Sequence, residues 1–274
     1  MDNHVYNAAG GEWIGSATDM RRQILILGGT TEARELAQLL APRTDLAVIL
    51  SLAGRTASPA TQAVPVRRGG FGGVNGLAQY LREHAIDALI DATHPYAARI
   101  SLNAMGAALQ TNTPMVRLRR APWHPVDGDR WTEVLDADEA ARSLGSVPRN
   151  VFLALGRQET ARFASAPQHH FVIRSVDPVD PPLAVPHACY ILDRGPFVED
   201  KERELLLAHE IEVVVVKNSG GSATYGKIAA ARSLELPVLL LRRPPELDNR
   251  SATGVGETMV WLDHLLKPKV DLGV

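Results

Sequence analysis

A short apolar run, Ile24 to Leu27, turns abruptly on Gly28 and Gly29 and gives way at once to a helical pattern. Ala33, Leu36, Ala37, Leu39 and Leu40 fall on one face of that helix. Strand, glycine turn and helix start restrict this part of the chain to an α/β unit whose turn can hold a phosphate. Glycines let the backbone approach the anion, and the free N–H groups and dipole of the first helical turn favour negative charge. Thr30 and Thr31 add hydroxyl donors, and Glu32 follows in the same turn. The match of Gly28-Gly29-Thr30-Thr31-Glu32-Ala33 to G-x-G-x-x-G is incomplete, with Ala33 at the place of the third glycine. An ordinary strand-to-helix turn would use the same residues, so the turn alone leaves both readings standing.

The pattern repeats. Leu46 to Leu50 reads as a second strand ending in Ser51-Leu52-Ala53-Gly54-Arg55-Thr56. In a Rossmann-like unit that end faces the adenosine ribose of a dinucleotide. No acid stands between Ser51 and Val64 to grip a free 2′-hydroxyl. Arg55 with Ser51 and Thr56 suits a 2′-phosphate and hence NADPH, unless Arg55 is a solvated loop residue. Val64 to Arg67 is a third strand. Gly69-Gly70-Phe71-Gly72-Gly73 follows, either a lid or a long turn. A helix over 74–84, a strand over 86–92 ending in Thr93-His94-Pro95-Tyr96, a helix over 97–110 and a strand over 115–118 complete five β-α repeats, which implies a mostly parallel sheet.

A connection over 121–130, rich in proline and charge, leads to a second series of strands at 132–135, 151–155, 170–176, 189–192, 212–216 and 238–241, closed by a helix over 255–266. The two halves echo each other. The stretch 86–122 reads strand, polar loop, Ala-rich helix, strand, then Arg119-Arg120-Ala121-Pro122. The stretch 211–245 repeats that order and ends in Arg242-Arg243-Pro244-Pro245. The expected architecture is therefore α/β, with two Rossmann-like domains of mostly parallel sheet facing across a cleft. The boundaries expected are a disordered leader over 1–20, an NADPH-binding domain over 21–125 and a second α/β domain over 126–274 that completes the substrate cleft.

The loops after the strands hold cations and donors more than acids. Paired carboxylates for glycoside hydrolysis, a G-x-S-x-G elbow and a P-loop are all missing from the sequence. His169-His170 has no third ligand at metal spacing, so no metal site is expected. The formal net charge of -2 gives no global basic field for nucleic acid. The longest apolar runs are too short to span a membrane. A lone cysteine, Cys189, excludes an internal disulfide, favours a cytoplasmic setting and is expected to be a small core residue. Oligomeric state is not legible. Cationic loops without a general-base pair fit a polyanionic small molecule that needs positioning, and hydride transfer from a cofactor asks little more of the protein.

These residues together resemble the precorrin-6A reductase family of cobalamin biosynthesis. The resemblance rests on 27–33 of the glycine turn, Ser51-Leu52-Ala53-Gly54-Arg55, Arg68-Gly69-Gly70-Phe71-Gly72-Gly73, Asp91-Ala92-Thr93-His94-Pro95-Tyr96-Ala97 and Lys217-Asn218-Ser219-Gly220, across nearly all the chain after Met20. It implies NADPH-dependent reduction of one double bond of a carboxylate-rich tetrapyrrole, with cofactor and substrate in the cleft. On this basis Gly28, Gly29, Thr30, Thr31, Glu32, Ser51, Gly54, Arg55, Thr93 and His94 are expected to bind the cofactor. Arg194, Lys217, Asn218, Ser219 and Gly220 are expected to bind the substrate, and His94, Tyr96 and Lys217 to border the reaction. A cobalt-bearing substrate and a non-catalytic NADPH-sensing role are the alternatives.

Overall fold

A computed structural model describes residues 5–6, 20–54, 61–247 and 249–267. In chain order the elements are β1 (Val5–Tyr6), β2 (Arg22–Leu27), α1 (Thr31–Leu40), β3 (Leu46–Leu52), β4 (Val66–Arg68), α2 (Gly73–Glu83), β5 (Ala88–Asp91), α3 (Ala98–Thr111) and β6 (Met115–Leu118). They continue with β7 (Trp131–Val134), α4 (Ala137–Ser143), β8 (Asn150–Ala154), α5 (Arg157–Thr160), β9 (His170–Ser175), β10 (Ala188–Leu192), α6 (Glu199–Ala208) and β11 (Val213–Lys217). The chain ends its described course with α7 (Gly226–Ser233), β12 (Val238–Leu241), β13 (Ser251–Ala252) and α8 (Val255–Leu266).

The strands form two sheets, ordered β1-β4-β3-β2-β5-β6-β13 and β10-β9-β8-β11-β12-β7. Among the described residues every pairing is parallel except that of β1 with β4. Within each sheet five successive strands take the doubly wound order 3-2-1-4-5, which reverses direction beside the first strand. Parallel strands covered on both faces need apolar side chains on both, and β2 shows the result. Ile24 and Ile26 point into one core with α1 and α8, while Leu25 and Leu27 point into another with α2 and α3. Each such side chain contributes about 1.5–3 kcal/mol on burial.

The chain divides into two units, residues 1–120 with 245–274, and residues 121–244. This differs from the expected boundaries, which gave everything after 126 to the second domain. The reason lies in the sixth strand of the first sheet. Ser251 and Ala252 of β13 pair with Arg117 and Leu118 of β6. Arg119 N donates to Ala252 O at 2.8 Å. Helix α8 then buries Val255, Trp261 and Leu262 against α1 and β2. The sixth slot of the second sheet is filled by β7, which comes directly after the chain has left the first unit. The two Arg-Arg-x-Pro stretches thus mark the points where the chain leaves each unit after its fifth strand.

Three further expectations change. Part of the expected leader, Val5–Tyr6, forms an antiparallel edge strand on β4. Leu39, assigned to the inner face of α1, is half exposed, because the buried stripe follows Ala33, Leu36, Ala37 and Leu40. Cys189 is exposed, since β10 is an edge strand of the second sheet.

Candidate functional site

In the first unit the order of strands reverses between β2 and β5, which lie side by side with Leu27 opposite Asp91. The glycine turn leaves β2 there. Gly28 N donates to Ser51 O at 2.9 Å, tying the turn to the end of β3. A Cβ on Gly28 would lie 2.5 Å from Leu50 Cδ1, so this glycine serves close packing. Gly29 has φ +122°, a conformation that favours glycine, and a Cβ there would meet no described residue beyond its chain neighbours within 4 Å. Thr30 caps α1: its Oγ1 accepts from Ala33 N at 3.1 Å and donates to Ala92 O at 2.8 Å. One hydroxyl therefore fixes the helix start against the end of β5. The first-turn N–H groups of α1, from Thr31 and Glu32, have no intrahelical acceptor. An open space beside a positive-φ glycine at the N-terminus of a ten-residue helix fits the phosphates of a dinucleotide.

The stretch after β5 is held from below. Buried Asp91 accepts at Oδ1 from Thr93 N at 3.1 Å and from Thr93 Oγ1 at 2.6 Å. Its Oδ2 faces Arg117 Nε at 3.6 Å, close enough for charge pairing and too far for a hydrogen bond. Thr93 Oγ1 also lies 3.4 Å from Ser101 Oγ, which accepts from an Arg119 amino group at 3.2 Å. His94 is half-buried and its Nδ1 accepts from Tyr96 N at 3.3 Å, with the two rings 5.6 Å apart. A small cavity between these loops is lined by Thr30, Glu32, Thr93, Pro95, Leu118 and Arg120. Arg120 Nη1 lies 3.0 Å from each carboxylate oxygen of Glu32. That pairing cancels an acid that would otherwise repel an anion at the start of α1.

The structure thus brings Gly28, Gly29, Thr30, Thr31, Glu32, Thr93 and His94 to one edge of the first sheet. Ser51 and Gly54 lie at the end of β3 on that same edge; Gly54 has φ +72° and its Cβ position is 3.6 Å from Gly69 N. Arg55 lies outside the described residues. Arg67, Asp91, Arg117 and Arg120 were not expected in the site. Asp91 stood beside His94 in the sequence, and Arg120 was visible only as half of a repeated arginine pair.

The second unit carries different chemistry at the corresponding strand ends. Helix α5 after β8 has four residues, and Glu159 on it reaches Lys217 Nζ at the end of β11, 2.6 Å away. Asn218 is buried and turned to the backbone of Trp123, accepting from its N at 2.8 Å and donating to its O at 3.0 Å. Gly220 has φ +70°, and a Cβ there would sit 2.2 Å from Ala121 O. Arg243 donates to Asn218 O at 2.8 Å and Ser219 O at 3.1 Å. Asn218 and Gly220 therefore shape the loop, and Lys217 and half-buried Ser219 stand on it. Arg194 is exposed, on the loop after β10.

A doubly wound parallel sheet with a glycine turn at its reversal point defines a Rossmann-type protein. The chain matches the family model described as Precorrin-6x reductase CbiJ/CobK over residues 23–263, and it belongs to that family. It is 52% identical over 246 residues to a precorrin-6A reductase of Sinorhizobium sp, covering 90% of this chain and 94% of that one. A precorrin-6A reductase of Mycobacterium tuberculosis is 40% identical over 222 residues, with 81% and 89% covered. A cobalt-precorrin-6A reductase of Priestia megaterium is 28% identical over 232 residues, with 81% and 90% covered. The solved structure of CobK precorrin-6A reductase matches with a TM-score of 0.86 and 44% identity, covering 89% of this chain and 97% of that one. The protein is accordingly an oxidoreductase. Among the described residues no helix is long and apolar enough to cross a membrane.

Proposed function

We propose that this protein reduces one ring double bond of precorrin-6A with NADPH, in the biosynthesis of cobalamin in the cytoplasm. The observation that carries the reading is the turn at Gly29, open and anion-favouring at the reversal point of the first sheet. Bound there, NADPH would supply the hydride. The backbone at 28–32 would hold its phosphates, with Thr30 and Thr31 as hydroxyl donors. Ser51, Gly54 and Arg55 would meet the adenosine ribose, Arg55 as a partner of the 2′-phosphate. Arg120 keeps Glu32 neutralised beside them.

Thr93, fixed by Asp91, holds His94 and Tyr96 where they would border the nicotinamide. With Nδ1 accepting from Tyr96 N, His94 carries its proton on Nε2 and can donate from that atom. The reduction also needs a proton at the second carbon, which solvent would deliver while His94 positions the nicotinamide through that hydrogen bond. In the second unit Lys217, Ser219 and Arg194 would bind substrate carboxylates, with Asn218 and Gly220 keeping the loop in shape. Lys217 already holds one carboxylate, that of Glu159, and would exchange it for another. A metal-free macrocycle is favoured over a cobalt-bearing one. The relatives named for precorrin-6A are 40% and 52% identical, against 28% for one named for the cobalt form.

Lys217→Ala is expected to raise the KM for the tetrapyrrole roughly tenfold, about the loss of one charge-assisted contact, and to leave NADPH affinity unchanged. Steady-state kinetics with a separate NADPH titration checks this. Unchanged kinetic constants would make the 217–220 loop a turn and no more.

A further inference from the structure

Arg67 is fully buried in the middle of β4, directly opposite Ser51 of β3. Its Nη1 donates to Gly69 O at 2.6 Å and to Ser51 Oγ at 3.3 Å, and its Nη2 donates to Gly70 O at 2.8 Å. The guanidinium lies 3.6 Å from the centre of the Phe71 ring and 5.3 Å from that of Tyr80. Every one of these partners is neutral. Burial pushes the Tyr80 phenol up to about 12, so it is uncharged at pH 7 and does not act as a counter-ion. Among the described residues no carboxylate comes within ion-pair distance of Arg67, and its Nε has no hydrogen-bond partner. The sequence itself holds no Asp or Glu between Asp45 and Glu83.

Burying a guanidinium without a counter-ion is costly, and carbonyl and aromatic partners offset only part of that. Burial lowers the Arg67 pKa, yet an arginine starts so high that it keeps its charge. Clamping two glycine carbonyls does not by itself require that charge. The position gives it a use. The end of the strand beside the first strand of a doubly wound sheet faces the adenosine ribose, and here that end is Ser51. Because Ser51 Oγ accepts from Arg67, its own hydrogen is left to donate to another acceptor.

We infer that Arg67 is a positioning residue for cofactor choice, supplying through Ser51 an uncancelled positive field that favours a 2′-phosphorylated nicotinamide dinucleotide over its unphosphorylated counterpart. This rests on the NADPH reading above and adds a second determinant to Arg55. NADPH and NADH are titrated calorimetrically into wild type, Arg67→Met, Arg67→Gln and Ser51→Ala, with folding checked by circular dichroism. The Arg67 variants are expected to lose on the order of tenfold in NADPH affinity with NADH little changed, and Ser51→Ala to shift the ratio the same way. A parallel fall for both cofactors, or an unchanged ratio while wild type prefers NADPH, would overturn the inference and leave the NADPH reading intact. A wild type without preference would overturn that reading itself. If neither Arg67 variant folds, Ser51→Ala decides: a lowered ratio supports the inference and an unchanged one defeats it.

Discussion

Gly29→Val is expected to weaken NADPH binding by roughly two orders of magnitude, about 2.7 kcal/mol. The substitution acts on two features of the turn, its backbone, which the stability reads, and the space beside it, which the affinity reads. At φ +122° a β-branched residue is strained, which costs about 1–3 kcal/mol locally. The side chain would also enter the open space beside the first N–H groups of α1, the space assigned to the phosphates. Among the described residues, none beyond the two chain neighbours lies within 4 Å of the new Cβ, so no core contact is lost. Gly29→Ala, with a smaller intrusion, is expected to fall between. Calorimetric titration and a thermal melt on each variant separate the two effects. Unchanged NADPH affinity in folded Gly29→Val would remove this turn from the cofactor site.

Asp91→Ala is expected to cost about 3 kcal/mol of folding stability, at the lower end for a broken buried ion pair because the Arg117 contact is charge pairing without a hydrogen bond. Asp91 and Arg117 are both almost wholly buried, so removing the carboxylate leaves the guanidinium without its counter-charge. It also releases both bonds that hold Thr93, and with them the placing of His94. Asp91→Asn keeps an acceptor for Thr93 and should lose less. Urea denaturation reads the stability, and a loss under about 1 kcal/mol for Asp91→Ala would mean that the pair does not hold the site together.

Much of this was legible in the sequence, for identifiable reasons. Fully buried parallel strands write themselves as apolar runs, so β2, β5 and β11 were plain, and the Gly28-Gly29-Thr30 turn between β2 and α1 followed from glycine and capping chemistry. The return of the chain to the first unit was not legible. It turns on β13, a two-residue strand too short to show any period, and on a pairing with β6 more than a hundred residues away. Asn218 was read as a polar loop residue open to a ligand, and only three dimensions show its amide committed to Trp123. Arg67 was hidden for a related reason. An arginine at a strand end reads as solvated, and its burial depends on Phe71 and Tyr80 folding over it.

Oxidation of NADPH by this protein should depend on precorrin-6A. The direct measurement follows the nicotinamide absorbance of the purified protein under anaerobic conditions, with metal-free precorrin-6A, cobalt-bearing precorrin-6A and no tetrapyrrole in parallel, and with the product identified by mass. NADPH is expected to be oxidised only when tetrapyrrole is present, faster with the metal-free macrocycle, with one dihydro product formed per NADPH consumed. Tight binding of NADPH without oxidation in any arm would contradict it and leave a sensing module; turnover with the cobalt form alone would contradict the choice of substrate.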